Sequence, residues 1–238
     1  MVWTIAITVL VTVLAVVLAM NFATPEKKLD RKIEHHYAIS DPQYRREMSV
    51  MLGPAIVGGN RVEDLQNGDE IFPAMLKSIR SAKKTITFET YIYWSGDIGN
   101  ELAEALAERA KAGVKVAVLL DWVGSIKMDE DLIQTMKDAG AQVQRYRPLH
   151  WYHLARMNNR THRKLLVVDG QVGFTGGVGI APQWLGNPPD PHHWPPPDYL
   201  VRGTVVPPLH PTLLGNWLEL TAQVLHGAHY FPPTPPAG

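Results

Sequence analysis

Apolar residues run from Val2 to Met20, interrupted only by Thr4, Thr8 and Thr12. At helical rise these 19 residues extend about 28 Å, the thickness of a bilayer's hydrocarbon core. The pattern predicts a single transmembrane anchor over residues 1–24. A cleaved secretory signal fits less well: no basic stretch precedes the run, which exceeds a usual signal core, and no clear small-residue cleavage site follows. The three threonines are four apart and share one helix face, where such hydroxyls usually bond their own backbone. Lys27, Lys28, Arg31, Lys32, Arg45 and Arg46 crowd the far side of the run. That asymmetry predicts a single-pass protein of the cell membrane with its body in the cytoplasm. Residues 25–52 carry no long apolar face and read as a charged, partly helical juxtamembrane linker lying near anionic headgroups. The pair His35-His36 within it reads as exposed linker rather than a metal site.

From Gly53 the periodicity changes to alternating helical and extended segments. Asn67-Gly68-Asp69 marks a turn, and Ile71 to Ala82 a helix with Pro73 in its first turn. Thr85 to Tyr93 is rich in Thr, Ile, Phe and Tyr and reads as a strand. Asn100 is placed to cap a helix that ends at Gly113, with Leu102, Leu106 and Ala110 on one face. Val114 to Leu120 reads as a buried strand, Asp129 to Ala139 as a helix stopped by Gly140, and Val143 to Tyr146 as a strand. Leu165 to Val168 ends at Asp169-Gly170, a hairpin signal, and Gln171 to Thr175 returns. Thirteen of the 19 prolines lie from Pro188 onward, so Pro188 to Pro197 reads as loop or polyproline. Pro211 to Leu225 is a last helix, with Leu214, Trp217, Leu218 and Leu225 available for a core and Gly227 as its stop. The expected fold is an α/β body, a mixed sheet flanked by helices, with no internal repeat.

The chain has 23 basic and 23 acidic residues and no cysteine. Disulfides, thiol catalysis and cysteine-ligated metal are excluded, and a zero net charge argues against a general nucleic-acid binder. Local charge is different. Between Asp138 and Asp169 no acid occurs, while Arg145, Arg147, Arg156, Arg160, Arg163 and Lys164 do, with His150, His153 and His162. A run this one-sided is commonly a solvated face. Trp151 and Tyr152 are interleaved, however, and the run leads into the hairpin. It is therefore expected to wall a phosphate-bearing substrate, with the aromatics against a lipid or as interface anchors, and the same features would also suit a nucleic-acid backbone.

His162, Lys164 and Asp169 stand as His-x-Lys-x4-Asp, followed by Gly176, Gly177 and Gly179. On a strand His162 and Lys164 point the same way, joining a nucleophilic imidazole to an ammonium that clamps an anion, as phosphoryl transfer requires. Asp169 begins the turn, so its first role is to orient the loop. The glycines are expected to let backbone amides approach phosphate. Glu89, a carboxylate in an apolar strand, requires a basic or histidine partner near the site. Asp121, at the carboxyl end of a strand, suits either a ligand contact or a loop cap.

The motif resembles the signature of the phospholipase D superfamily, whose active site pairs two such motifs. Taken with FETYIYWSG at 88–96, LLDWVGSIKMD at 119–129, HWYHLARMNNRTHRKLLVVDG at 150–170 and FTGGVGIA at 174–181, the chain is similar to the N-terminal half of bacterial cardiolipin synthase-like phosphatidyltransferases. The resemblance covers about Gly53 to Pro232. It implies a single half-domain at 53–231, followed by an extended tail at 232–238. The implied activity is transfer of a phosphatidyl group between phosphatidylglycerol-type lipids through a phosphohistidine. Neither metal nor cofactor takes part.

By the resemblance His162, Lys164 and Asp169 are catalytic, and Glu89, Arg160, Gly176 and Gly177 bind substrate. Some relatives place a serine or asparagine in the glycine loop, where Gly177 and Gly179 leave only backbone. Two departures stand out. No second His-x-Lys occurs, so the chain is either a truncated half or completes its site by homodimerisation. Where relatives read roughly HWRDTHFRVEGPVV, this chain has His193 to Gly203, and the acid that would orient the imidazole falls at Pro196, for which Asp198 substitutes only if the loop shifts. Expected partners are an anionic phospholipid and the membrane, not nucleic acid. Two alternatives are a homodimeric phosphodiesterase or nuclease, and an inactive membrane-anchored lipid-binding module.

Overall fold

The computed structural model describes residues 1–22, 37–52, 55–149, 159–186 and 197–237. The linker residues Lys27, Lys28, Arg31, Lys32, His35 and His36 lie outside them, as do His150 to Asn158 and Pro196.

The apolar run forms one helix, α1 (Val2–Phe22), and its 18-residue stretch Val2–Ala19 is long and apolar enough to cross a membrane. Thr8 donates its hydroxyl to the Thr4 carbonyl at 2.9 Å, the self-bonding expected of threonine in such a helix. A short second helix follows, α2 (Pro42–Leu52).

The body is one seven-stranded mixed sheet. Its strands are β1 (Asn60–Leu65), β2 (Thr85–Thr90), β3 (Lys115–Asp121), β4 (Gln142–Tyr146), β5 (Lys164–Val168), β6 (Val172–Gly176) and β7 (Asp198–Gly203), in the order β1-β7-β6-β5-β2-β3-β4. The helices α3 (Asn67–Ser81), α4 (Asp97–Lys111) and α5 (Glu130–Asp138) lead into β2, β3 and β4. β2, β3 and β4 are parallel, as strands joined through helices must be. β5 reverses direction against β2, and β6, β7 and β1 continue antiparallel. The reversal brings the carboxyl ends of β2 and β6 together with the amino ends of β5 and β7.

Each face of the sheet buries its own core. Alternation sends Ile86, Phe88, Val118, Leu120, Leu166, Phe174 and Leu200 toward α3, α4 and α5, where Ile71, Ile79, Leu102 and Leu106 meet them. Leu119, Leu165, Val167 and Val201 face the other way, onto Leu213 and Trp217 of α6 (Val206–Thr221). A side chain's position along its strand therefore fixes the face on which it works.

Three helix starts differ from the expected ones. α3 begins at Asn67, so the expected turn is its first turn, with Asp69 and Glu70 favourably placed at the positive helix end. α4 begins at Asp97 behind the positive-φ Gly96, leaving Asn100 inside the helix. α6 begins at Val206, and prolines at its first positions are tolerated because those amides lack helical partners. It ends at Ala222 in the left-handed region rather than at Gly227. Leu225 is buried but lies beyond it, and Leu218 is exposed.

The expected hairpin is present. Asp169 and Gly170 both take positive φ, 52° and 65°, and Gln171 N–H bonds the Val168 carbonyl at 3.0 Å. β1 and β7 were not apparent in the sequence pattern.

Candidate active site

The reversal of β5 assembles the motif at the carboxyl end of β2. Thr90 pairs with Lys164, Leu165 with Thr175, and Gly176 with Asp198. Lys164 therefore falls on the face shared with Phe88, Leu166 and Leu200, and Asp198 projects onto the same face two residues before Leu200.

His162 lies just ahead of β5 and is exposed. Its ring stacks at 4.7 Å and a 45° tilt on Tyr91, and its Nδ1 lies 3.3 Å from Nζ of Lys164. The two side chains converge as the motif predicts. Lys164 Nζ also donates to the His162 carbonyl at 3.2 Å. Partial burial pulls the Lys164 pKa below its ordinary value, and the negative charge of Asp198 opposes that shift. An ammonium has donors and no acceptor, so Nδ1 receives this bond and the neutral ring carries its proton on Nε2. An imidazole that attacks through Nε2 needs the opposite tautomer, which an acceptor on Nδ1–H enforces. Pro196, where the orienting acid is expected, lies outside the described residues.

Glu89 and Asp121 work from the other face. Glu89 is fully buried; its Oε1 accepts the hydroxyl of Thr161 and the amide of Asn216 at 2.7 Å, and Arg163 stands 3.9 Å away. Burial raises its pKa, against the hydrogen bonds from Thr161 and Asn216 and the charge of Arg163. Oε2 has no hydrogen-bond partner among the described residues. Asp121 is also fully buried. Oδ1 caps the following turn through the amides of Val123 at 2.9 Å and Gly124 at 3.2 Å, while Oδ2 accepts Thr161 N–H at 3.1 Å. Burial raises the Asp121 pKa as well, with Gly124 and Arg160 acting against it.

Two buried carboxylates thus grip Thr161, one through its hydroxyl and one through its amide, and so fix the residue next to His162. Glu89 meets the expected basic partner, Arg163, but not the histidine. Arg160 turns inward, 3.6 Å from Asp121 and bonded to the Arg147 carbonyl at 2.6 Å, away from Lys164. Thr161, Asn216 and Tyr91 had no distinguishing signal beyond their nearness to the motif.

Asp169 takes the expected structural role. Its carboxylate accepts three successive amides, from Lys83 at 2.9 Å, Lys84 at 2.7 Å and Thr85 at 2.9 Å, and so ties the hairpin to the start of β2. The glycine loop departs from expectation. The amides of Gly177 and Val178 point inward, and the Asp198 carboxylate already holds them, with Val178 N–H at 3.0 Å. A Cβ on Gly176 would lie 2.0 Å from Asp198 Oδ1, so only glycine admits the carboxylate there. Asp198 therefore braces the loop and faces Lys164 instead of serving the imidazole.

Among the described residues, the expected cationic wall is largely neutralised by acids from distant elements. Arg145 pairs with Glu130 at 2.7 Å, Arg147 with Glu219 at 3.1 Å, Arg160 with Asp121 and Arg163 with Glu89. The acid-free run in sequence reflects pairing across the fold.

Residues 75–185 match the family described as cardiolipin synthase, PLD-like domain. This domain belongs to the phospholipase D superfamily. Within it, the chain is cardiolipin synthase-like. It is 36% identical over 156 residues to cardiolipin synthase 1 of Bacillus cereus, covering 65% of this chain and 30% of that protein. It is 34% identical over 162 residues to cardiolipin synthase A of Pseudomonas fluorescens, covering 68% and 34%. The chain thus spans about a third of the length of these relatives. In structure it resembles the phospholipase D family member Nuc from Salmonella typhimurium, with a TM-score of 0.50 and 18% identity over 70% of this chain and 97% of that one. NucT from Helicobacter pylori also gives a TM-score of 0.50, at 12% identity. These two likenesses carry the fold alone.

Proposed function

We propose that this chain is a membrane-anchored half-domain of a phospholipase D-type phosphatidyltransferase, acting on phosphatidylglycerol-type lipids. The observation that carries the reading is the convergence of His162 and Lys164 at 3.3 Å beside an inward-facing glycine loop. In the proposed reaction Lys164 turns from Nδ1 of His162 to the phosphate, the ring proton moves to Nδ1, and the freed Nε2 attacks the lipid phosphorus. A P–N bond forms as the P–O bond to the leaving glycerol breaks, and a second histidine protonates that leaving oxygen. The hydroxyl of an acceptor lipid then displaces His162, and its proton passes to the second histidine. Lys164 offsets charge on the phosphate oxygens. The second histidine comes from another half-site, either His162 of a second copy or a missing half, and no metal or cofactor is required. Glu89 and Asp121 support the site by fixing Thr161, Asp169 by fixing the hairpin, and Arg160 by bracing Asp121. Helix α1 holds the body at the cytoplasmic face, where anionic lipid is within reach.

A second reading is favoured by one observation. His162 is exposed, and its Nδ1 receives the lysine rather than facing an acid. A chain fixed in that state binds anionic lipid without turnover.

The deciding experiment measures phosphatidyl transfer by purified protein in mixed micelles containing phosphatidylglycerol, beside His162→Ala and a native mass. Transfer by a dimeric wild type and none by the variant supports the composite site. Equal, background rates from a monomer sink the transferase reading and leave the binding module.

A further inference from the structure

Two successive amides and a lysine facing one small buried space form an anion cradle, because each presents positive potential and none an acceptor. In this fold the cradle is Gly177 N–H, Val178 N–H and Lys164, and it already holds an anion. Asp198 is 3% exposed, and Gly176 has no side chain where its oxygen lies. The cavity between Asp198 and Lys164 measures about 10 Å³. That is room for one water and not for a phosphate.

We propose that Asp198 is an internal stand-in for the substrate phosphate, holding the Gly177–Val178 cradle closed until a tetrahedral oxyanion displaces its carboxylate. The proposal rests on the reading of Lys164 as a phosphate ligand. It adds a residue that sets how tightly, and at what pH, the site accepts an anion. The surroundings of Asp198 leave little else to respond. β2 contributes Phe88 and Thr90, whose hydroxyl bonds the Ile92 carbonyl; α3 contributes Met75 and β6 Phe174; β5 contributes Lys164, which touches His162. Burial holds the Asp198 pKa above the usual carboxylate range, against its two amide bonds and Lys164. Falling pH therefore neutralises the internal anion sooner than it would an exposed carboxylate, and opens the cradle.

The test is sulfate binding, by calorimetry, to the full chain in detergent at pH 7.5 and 5.5, a range over which sulfate keeps its charge. Asp198→Asn retains an acceptor oxygen for the amides while removing the charge. It is expected to bind sulfate about tenfold or more tightly than wild type at pH 7.5, with the gap closing at pH 5.5. Lys164→Met is expected not to bind. Equal or weaker binding by Asp198→Asn overturns the proposal, leaving Asp198 a brace alone. Should that variant not fold, His162→Gln decides: it lacks the imidazole and must still bind more tightly at pH 5.5, and a flat profile overturns the proposal. If Lys164→Met binds as wild type does, the anion site itself is refuted. Absent phosphatidyl transfer with the sulfate pattern intact removes only the transferase reading.

Discussion

Glu89 accepts the hydroxyl of Thr161 from the face of the sheet opposite Lys164. The residue before His162 is therefore anchored on one side of the sheet while the lysine works on the other. The anchor is a buried carboxyl group whose pKa burial raises. Its neutral form stabilises the fold below the unfolded carboxyl pKa, and that contribution is lost as pH rises through the folded value. Glu89→Gln keeps an acceptor for Thr161 and Asn216 and cannot ionise. Thermal melts should show it no more stable than wild type at pH 4 and increasingly more stable toward pH 8. A variant less stable at every pH would show that the ion pair with Arg163 outweighs desolvation.

His210 of α6 is fully buried, with Nε2 3.2 Å from Thr87 Oγ1 and no partner on Nδ1 among the described residues. Burial lowers its pKa from 6.5 to about 4. A depressed histidine stabilises the fold above the unfolded pKa, and that contribution falls away as pH drops from about 6.5 through about 4. The loss is on the order of 3 kcal/mol. Urea unfolding at pH 7.5 and 4 should show this loss in wild type and much less of it in His210→Gln. An equal loss in both would place the acid sensitivity elsewhere.

Asp169 belongs to the motif and never touches His162 through a hydrogen bond or ion pair among the described residues; it ties three amides at the start of β2. Asp169→Ala should lower stability by about 1–2 kcal/mol. Any transfer activity should recover on cooling to temperatures at which the variant is folded. Activity lost at full folding would instead give the carboxylate a chemical role.

Arg145 and Arg147 are paired with Glu130 and Glu219. Arg145→Gln with Arg147→Gln should therefore change binding to phosphatidylglycerol vesicles by less than about twofold. A tenfold loss in a flotation assay would restore these arginines as lipid ligands.

Much of this architecture is legible along the chain because its signals are local. The unbroken apolar run becomes α1, Asp169-Gly170 becomes the turn, and Leu102 and Leu106 face the core as their spacing requires. Helix starts were harder, since Gly96 and the prolines at 207 and 208 look like loop until packing holds them in place. β1 carries no strand signal, because half-exposed charged residues make an edge strand resemble a loop. The site was legible as far as His162 and Lys164, which sit two residues apart. The partners of the basic run were not, because Glu89, Asp121, Glu130 and Glu219 come from four other elements and only the folded sheet brings them near. Nor does spacing reveal that Asp198 would enter the glycine loop, a contact fixed by β6–β7 register.

One bond has a consequence for how the protein comes off the ribosome. Asn216 reaches Glu89 across 127 positions of chain, and synthesis runs from the amino end. When the histidine motif emerges, β2 to β5 have what they need to pair, but the helix that completes the Glu89 bonds is still being made or lies inside the exit tunnel. The bonds that hold Glu89 beneath Thr161 are therefore complete only once residue 216 has left the ribosome. A nascent chain stalled before residue 206 would carry His162 beside a Glu89 still lacking its Asn216 partner.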